Sequence, residues 1–167
     1  MKITSLFVAC GMVALSTASP ALKVNYVGLD LAFNSTNEEC ASSCGNSGDI
    51  ASNVQASISG VESGCVLKKG GEFTLTSSYD LSEDVTGGTA TYQASLNGLP
   101  VLNKNDDLCT DLKDGPTPCP LKKGPVKSKV TQPMSSSVPS GVFLAQQKWE
   151  DKDGKPILCI QYQLKVE

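Results

Sequence analysis

The chain has 167 residues, with 14 Lys, no Arg, no His and 17 Asp plus Glu, for a net charge of −3. Without His, the Ser-His and Cys-His forms of nucleophilic catalysis are excluded, so no catalytic residue is assigned and no cofactor or metal is expected. Without Arg, and with an acidic balance, the chain lacks the clustered cations that phosphate backbones attract, so nucleic acid is not an expected partner.

The first element is a leader. "MKITSLFVACGMVALSTASPA" has one Lys, an apolar run from Ile3 to Leu15 and then small residues, with Ala18 and Ala21 both suited to precede a cleavage. This reads as a secretory signal peptide over 1–21, its apolar run shorter than the ~20 residues that span a bilayer. Its removal takes Lys2 and Cys10, leaving 13 Lys against 17 acids, a net charge of −4. Residues 22–39 form a lead-in or propeptide, in which Val24, Tyr26, Leu29 and Leu31 allow a strand. "NST" at Asn34–Thr36 is an N-glycosylation sequon. Residues 40–167 are long enough for one domain with a hydrophobic core.

From Asp49 onward, short β-branched and aromatic segments alternate with Gly, Pro, Asp and Asn. Strands are expected over Ile50–Ile58, Glu72–Asp80, Thr89–Leu96, Leu99–Leu102, Val126–Gln132, Val142–Glu150 and Ile157–Val166. The last two alternate most clearly. Phe143, Ala145 and Trp149 share one face with Gln147 among them; Ile160, Tyr162, Leu164 and Val166 share another, against Gln161, Gln163 and Lys165. "DKDGKP" between them is a hairpin turn. "NKNDDLCTDLKDGPTPCP" reads as a long polar loop stapled by Cys109 and Cys119, and no window shows helical periodicity. Seven strands at this spacing predict an all-β antiparallel sandwich in two sheets.

Six Cys remain after the leader: Cys40, Cys44, Cys65, Cys109, Cys119 and Cys159. An even count in an exported chain favours three disulfides over metal ligation, and their pairing stays open at this level. The acid pairs Glu83–Asp84 and Asp106–Asp107 sit in polar segments and read as solvated turn residues. The Asp-x-Asp spacing at Asp151–Gly154 lacks the rest of a calcium loop and reads as a β-turn. An echo, "CVLKKGGEF" at Cys65–Phe73 and "CPLKKGPVK" at Cys119–Lys127, gives two Lys pairs, Lys68/Lys69 and Lys122/Lys123. Such pairs can touch anionic headgroups, but solvated bends entering strands are the simpler reading. The flanks diverge at once, so the echo is one structural device used twice, with a pinned Cys, an inward Leu and an exposed Lys-Lys-Gly bend.

The order of features from Cys44 to the C-terminus resembles the ML family of secreted lipid-recognition domains, which includes Niemann-Pick type cholesterol carriers and fungal phosphatidylglycerol/phosphatidylinositol transfer proteins. The carriers of the resemblance are "CGNSGDI", "CVLKKGGEFTLTSSY", "NGLPV", "CTDLKDGPTPCPLKKG" and "VPSGVFLAQQKWEDKDGKPILCIQYQLKV". It implies an immunoglobulin-like sandwich with no catalytic centre, holding lipid between its sheets. It also implies disulfides Cys109–Cys119 and Cys44–Cys159. Where the family often pairs the counterpart of Cys65 with a Cys just upstream, this chain has "SGVES". That leaves Cys40–Cys65, with Cys40–Cys159 and Cys44–Cys65 as the competing set. "PVKSKVTQP" is more polar than the aromatic-rich strand often found there.

The resemblance implies a lumenal or secreted lipid-binding and transfer protein, in the extracellular space or the lumen of the lysosome or vacuole. It would carry a sterol or phospholipid as a monomer in transient contact with membranes or a membrane lipid transporter. The lining expected from it is Phe73, Leu75, Tyr79, Tyr92, Val101, Leu121, Val126, Val130, Phe143, Trp149, Ile160, Tyr162 and Leu164. Tyr79 stands where the sterol carriers often place an aromatic, and "NGLPV" and "CPLKKG" fall near the mouth. The competing expectation is an extracellular interaction module, for adhesion or recognition, with the same sandwich and a filled core.

Overall fold

The structure, a computed structural model, describes residues 39–167. The signal segment, the Asn34 sequon and the lead-in as far as Glu38 lie outside the described residues. Among the described residues, nine strands and one helical turn follow in chain order: β1 Ala41–Ser43, β2 Ala51–Ser59, β3 Val66–Leu67, β4 Glu72–Leu81, β5 Gly88–Leu96, β6 Leu99–Asp107, α1 Leu108–Leu112, β7 Gly124–Pro133, β8 Gly141–Asp151 and β9 Pro156–Val166. The seven expected strands are all present. β1 and β3 are additions too short to show a period. The segment read as a polar loop differs: Asn103–Asp107 continues β6, and Leu108–Leu112 closes one helical turn.

That turn follows from local chemistry. Asp107 caps it, its carboxylate accepting from Thr110 N at 2.8 Å. Leu108 and Leu112 are its buried side chains, and Cys109 ties it to Cys119. Five residues are too few to reveal a helical repeat in sequence.

The strands form two sheets. The large one runs β1-β9-β8-β5-β6, with β3 also on β9; the small one runs β2-β4-β7. β9 holds both short strands on one edge, β1 antiparallel through Ala41↔Tyr162 and β3 parallel through Val66↔Lys165. β4 and β7 pair without interruption from Glu72↔Pro133 to Leu81↔Gly124. Asn97 and Gly98 join β5 to β6 with φ of 50° and 81°, the left-handed pair that a two-residue hairpin turn matching strand twist requires. At the β8–β9 turn the Asp151 carboxylate accepts from Asp153 N and Lys155 N, both at 2.8 Å, so this acid organises a turn.

The disulfides among the described residues are Cys40–Cys65, Cys44–Cys159 and Cys109–Cys119. The competing set does not form, because Cys40 sits one step beyond β1 beside the start of β3, while Cys44 sits at the other end of β1. The core between the sheets has two clusters. The first gathers Tyr79, Tyr92, Trp149, Ile160 and Tyr162 with Leu81, Val85, Leu112 and Leu121. The second, toward one end, gathers Leu67, Phe73, Met134, Val138, Phe143, Leu164 and Val166. Ile58 and Leu75 pack against both.

Candidate functional site

Period-two alternation sends Leu75, Ser77 and Tyr79 of β4 toward the large sheet. The register sets their β7 neighbours beside them: Leu75↔Val130, Ser77↔Ser128 and Tyr79↔Val126. Two serines therefore face each other on the inner surface, where a sandwich normally places large apolar side chains. Across the gap, Gln147 of β8 lies between Tyr92 of β5 and Ile160 of β9. Ser77, Ser128 and Gln147 are only half-buried although their faces look inward. The sheets are thus incompletely filled here, and solvent reaches the central strands.

The gap is a cavity of ≈ 40 Å³ lined by Leu75, Tyr79, Val130, Trp149, Ile160 and Tyr162, with Ser77, Ser128, Gln147, Leu112, Thr117, Leu158 and Thr76. That is room for about one water molecule. Tyr79 and Trp149 meet edge to face, with centroids 6.3 Å apart. Tyr79 Oη and Trp149 Nε1 are sealed from solvent, and neither has a hydrogen-bond partner among the described residues. Leaving a buried polar group unpaired costs about 1–3 kcal/mol. Burial pushes the Tyr79 and Tyr162 hydroxyls well above the ordinary phenol range. Burial raises Tyr92 as well, reinforced by the Asp111 carboxylate to which its hydroxyl donates. Trp149 is near enough to the Tyr92 hydroxyl to ease its ionisation slightly, yet its N–H completes no hydrogen bond there.

One wall is a loop. Leu112 and Thr117 lie within the stretch that the Cys109–Cys119 bridge closes. Leu121 and Val85 exchange backbone hydrogen bonds at 2.8 and 2.9 Å. Asp84 receives Lys122 Nζ and Lys123 N, both at 2.8 Å, which hold its carboxyl below the ordinary range. The other Lys pair behaves similarly: Lys68 meets Glu62 at 2.6 Å. A second concavity, a polar groove of ≈ 430 Å³ between β1 and β2, is lined chiefly by Ser, Thr and Gln and lacks the apolar lining a tail requires.

Of the thirteen expected lining residues, six meet at the cavity: Leu75, Tyr79, Val130, Trp149, Ile160 and Tyr162. Tyr92, Leu121 and Val126 pack in the same core cluster without lining the cavity. Phe73, Phe143 and Leu164 fill the second cluster. Val101 is a correction: it is 36% exposed. A bulge between Ala94 and Ser95 shifts the β5–β6 register, and Leu102 packs inward instead. Residues of "NGLPV" do not line the cavity, whereas Thr117, two positions before "CPLKKG", does. The expected lining omits the polar residues, although their signal is present: Gln147 shares the face of Phe143, Ala145 and Trp149, and Ser77 lies between Leu75 and Tyr79.

A protein of Dictyostelium discoideum named for phosphatidylglycerol/phosphatidylinositol transfer is 26% identical over 98 residues, covering 59% of this chain and 68% of its own. A Drosophila melanogaster homolog of NPC intracellular cholesterol transporter 2 is 27% identical over 108 residues, covering 62% and 70%. The crystal structure of a Niemann-Pick type C2 protein from the Japanese carpenter ant superposes with a TM-score of 0.57 at 22% identity, over 75% of this chain and 98% of that one, and so shares the fold. Residues 16–166 match the sequence model of the ML domain, and the chain belongs to that family.

Proposed function

We propose that this protein carries a single sterol or phospholipid, its apolar body held between the two sheets, and exchanges it between membranes. The observation that carries this reading is the incompletely filled inter-sheet cavity, lined by Leu75, Tyr79, Val130, Trp149, Ile160 and Tyr162. Relatives named for phosphatidylglycerol/phosphatidylinositol transfer and for intracellular cholesterol transport support it. Three disulfides and the leader support an exported or lumenal setting.

A space of ≈ 40 Å³ does not hold a lipid, so uptake parts the sheets. Each methylene moved out of water gains about 0.8 kcal/mol, and roughly ten of them gain about 8 kcal/mol. This gain offsets the packing that the small sheet gives up as it moves. The small sheet is suited to such movement, since its edge strands β2 and β7 are not hydrogen-bonded into the large sheet. The headgroup stays outside, so a mildly acidic, Arg-free chain needs no buried charge partner.

Native mass spectrometry of protein from its own host, together with titration of a fluorescent sterol and a pyrene-labelled phospholipid, tests the proposal. Co-purified lipid or saturable binding is expected. Protein that is always empty and binds neither probe would overturn it. The narrowness of the cavity favours a second reading, a recognition module with a filled core, and that negative result would leave it standing.

A further inference from the structure

The inter-sheet site is more polar than a hydrocarbon ligand needs. Tyr79 and Trp149 are 3% and 5% exposed, both line the cavity, and both hold a sealed polar atom without a partner among the described residues. The phenol O–H and the indole N–H are both donors. Neither donor meets an acceptor among the described residues. Ser77, Ser128, Thr117 and Gln147 add hydroxyl and amide groups to the same lining.

We propose that the ligand carries a hydrogen-bond-accepting oxygen, keto, hydroxyl or ester, part-way along its apolar body, and that Tyr79 and Trp149 donate to it. This rests on the lipid-carrier reading and narrows it. A plain alkyl chain entering between the sheets leaves both donors unpaired. A chain or ring system with an internal oxygen satisfies them at the depth where the two sheets already present polar side chains. Selectivity of this kind is strong because the analogue lacking the oxygen strands the site's own buried groups.

The test uses the exported chain with its disulfides intact, titrated with stearic acid and with mid-chain oxo-stearic acids. The oxo acids should bind about tenfold tighter or better, the equivalent of one restored hydrogen bond. Tyr79→Phe keeps the ring and removes the donor; it should shrink the ratio of the two affinities toward one. Trp149→Phe serves as a second variant, and thermal melts confirm that each is folded. Equal affinity of the two lipid types for the unaltered protein, or a preference that survives both substitutions, would overturn this proposal and leave the carrier reading intact. Failure of the fatty acids, the fluorescent sterol and the pyrene-labelled phospholipid alike to bind would overturn both.

Discussion

Tyr79, Tyr92 and Tyr162 are all buried, but their hydroxyls are not satisfied alike. Tyr92 donates to Asp111 and so anchors α1 against the large sheet, whereas Tyr79 keeps an unpaired hydroxyl beside Trp149. Removing the Tyr79 oxygen should therefore not harm the empty protein. Tyr79→Phe should leave stability unchanged or raise it by about 1 kcal/mol in urea unfolding, and a loss would show that the hydroxyl has a partner in solution. Asp107 offers a pH test. Its bonds to Thr110 hold its carboxyl below the ordinary value in the folded state. Its contribution is thus present above the unfolded value near 4 and is lost as pH falls through the lower folded value. Asp107→Asn keeps a capping side chain but cannot titrate, so the acid limb of the stability profile should flatten while neutral-pH stability stays the same.

At the scale of elements, the repeated Cys-x-Leu-Lys-Lys-Gly stretch is a bend used twice. Leu67 and Leu121 are 1% and 3% exposed, the lysines after each are exposed, and Gly70 and Gly124 take φ of 76° and 116°. Only the second copy follows a loop that reaches the cavity. The β4–β7 pair explains why the cavity lies where it does: Ser77 opposite Ser128 removes the bulk that Leu75–Val130 and Tyr79–Val126 supply on either side. Ser128→Leu should fill the slot, raise the melting temperature and weaken lipid binding at least tenfold, as read by displacement of the fluorescent sterol. Gly88 shows how tightly the large sheet is drawn together. It holds φ +146°, and a Cβ there would come 1.9 Å from Glu150 O. Gly88→Ala should cost about 2–3 kcal/mol in chemical denaturation by pushing β5 from β8.

At the scale of the whole molecule, three disulfides bind segments that sequence separates. Cys44–Cys159 spans 115 positions, Cys40–Cys65 spans 25 and Cys109–Cys119 spans 10. In the chain-entropy model the first constrains the unfolded chain by about 4–5 kcal/mol and the last by about 3 kcal/mol. Paired Cys→Ala variants should lose stability in that order in denaturant titrations. The order for lipid binding should be reversed at one place, since the short 109–119 loop supplies Thr117 to the cavity and the longest bridge does not. In the proposed uptake the far end of the sandwich would stay closed, because the second core cluster joins Phe73 of the small sheet to Phe143 and Leu164 of the large one.

The positions of the seven long strands were legible in the sequence, most clearly the last two, because half-buried β-structure writes a period of two, although the second half of β6 read as loop; "DKDGKP" was legible as a turn because Asp and Gly make turns by local bonds. The expectation of three disulfides followed from the leader and the even cysteine count. Six lining residues were reachable from alternation and family resemblance together. Their convergence was not, since a cavity depends on which strands face each other across the gap. Val101 shows the limit at a single residue: its neighbour Leu102 takes the inward position, and a short apolar run does not say which of its alternating faces is buried. The serines and Gln147 show it at the site, where sequence reports polar residues on a buried face but not that they meet. Backbone patterning is local and therefore written along the chain. Whether the space between two sheets is filled is decided by side chains far apart in sequence, and only the tertiary structure brings Ser77, Ser128, Gln147, Tyr79 and Trp149 to one place.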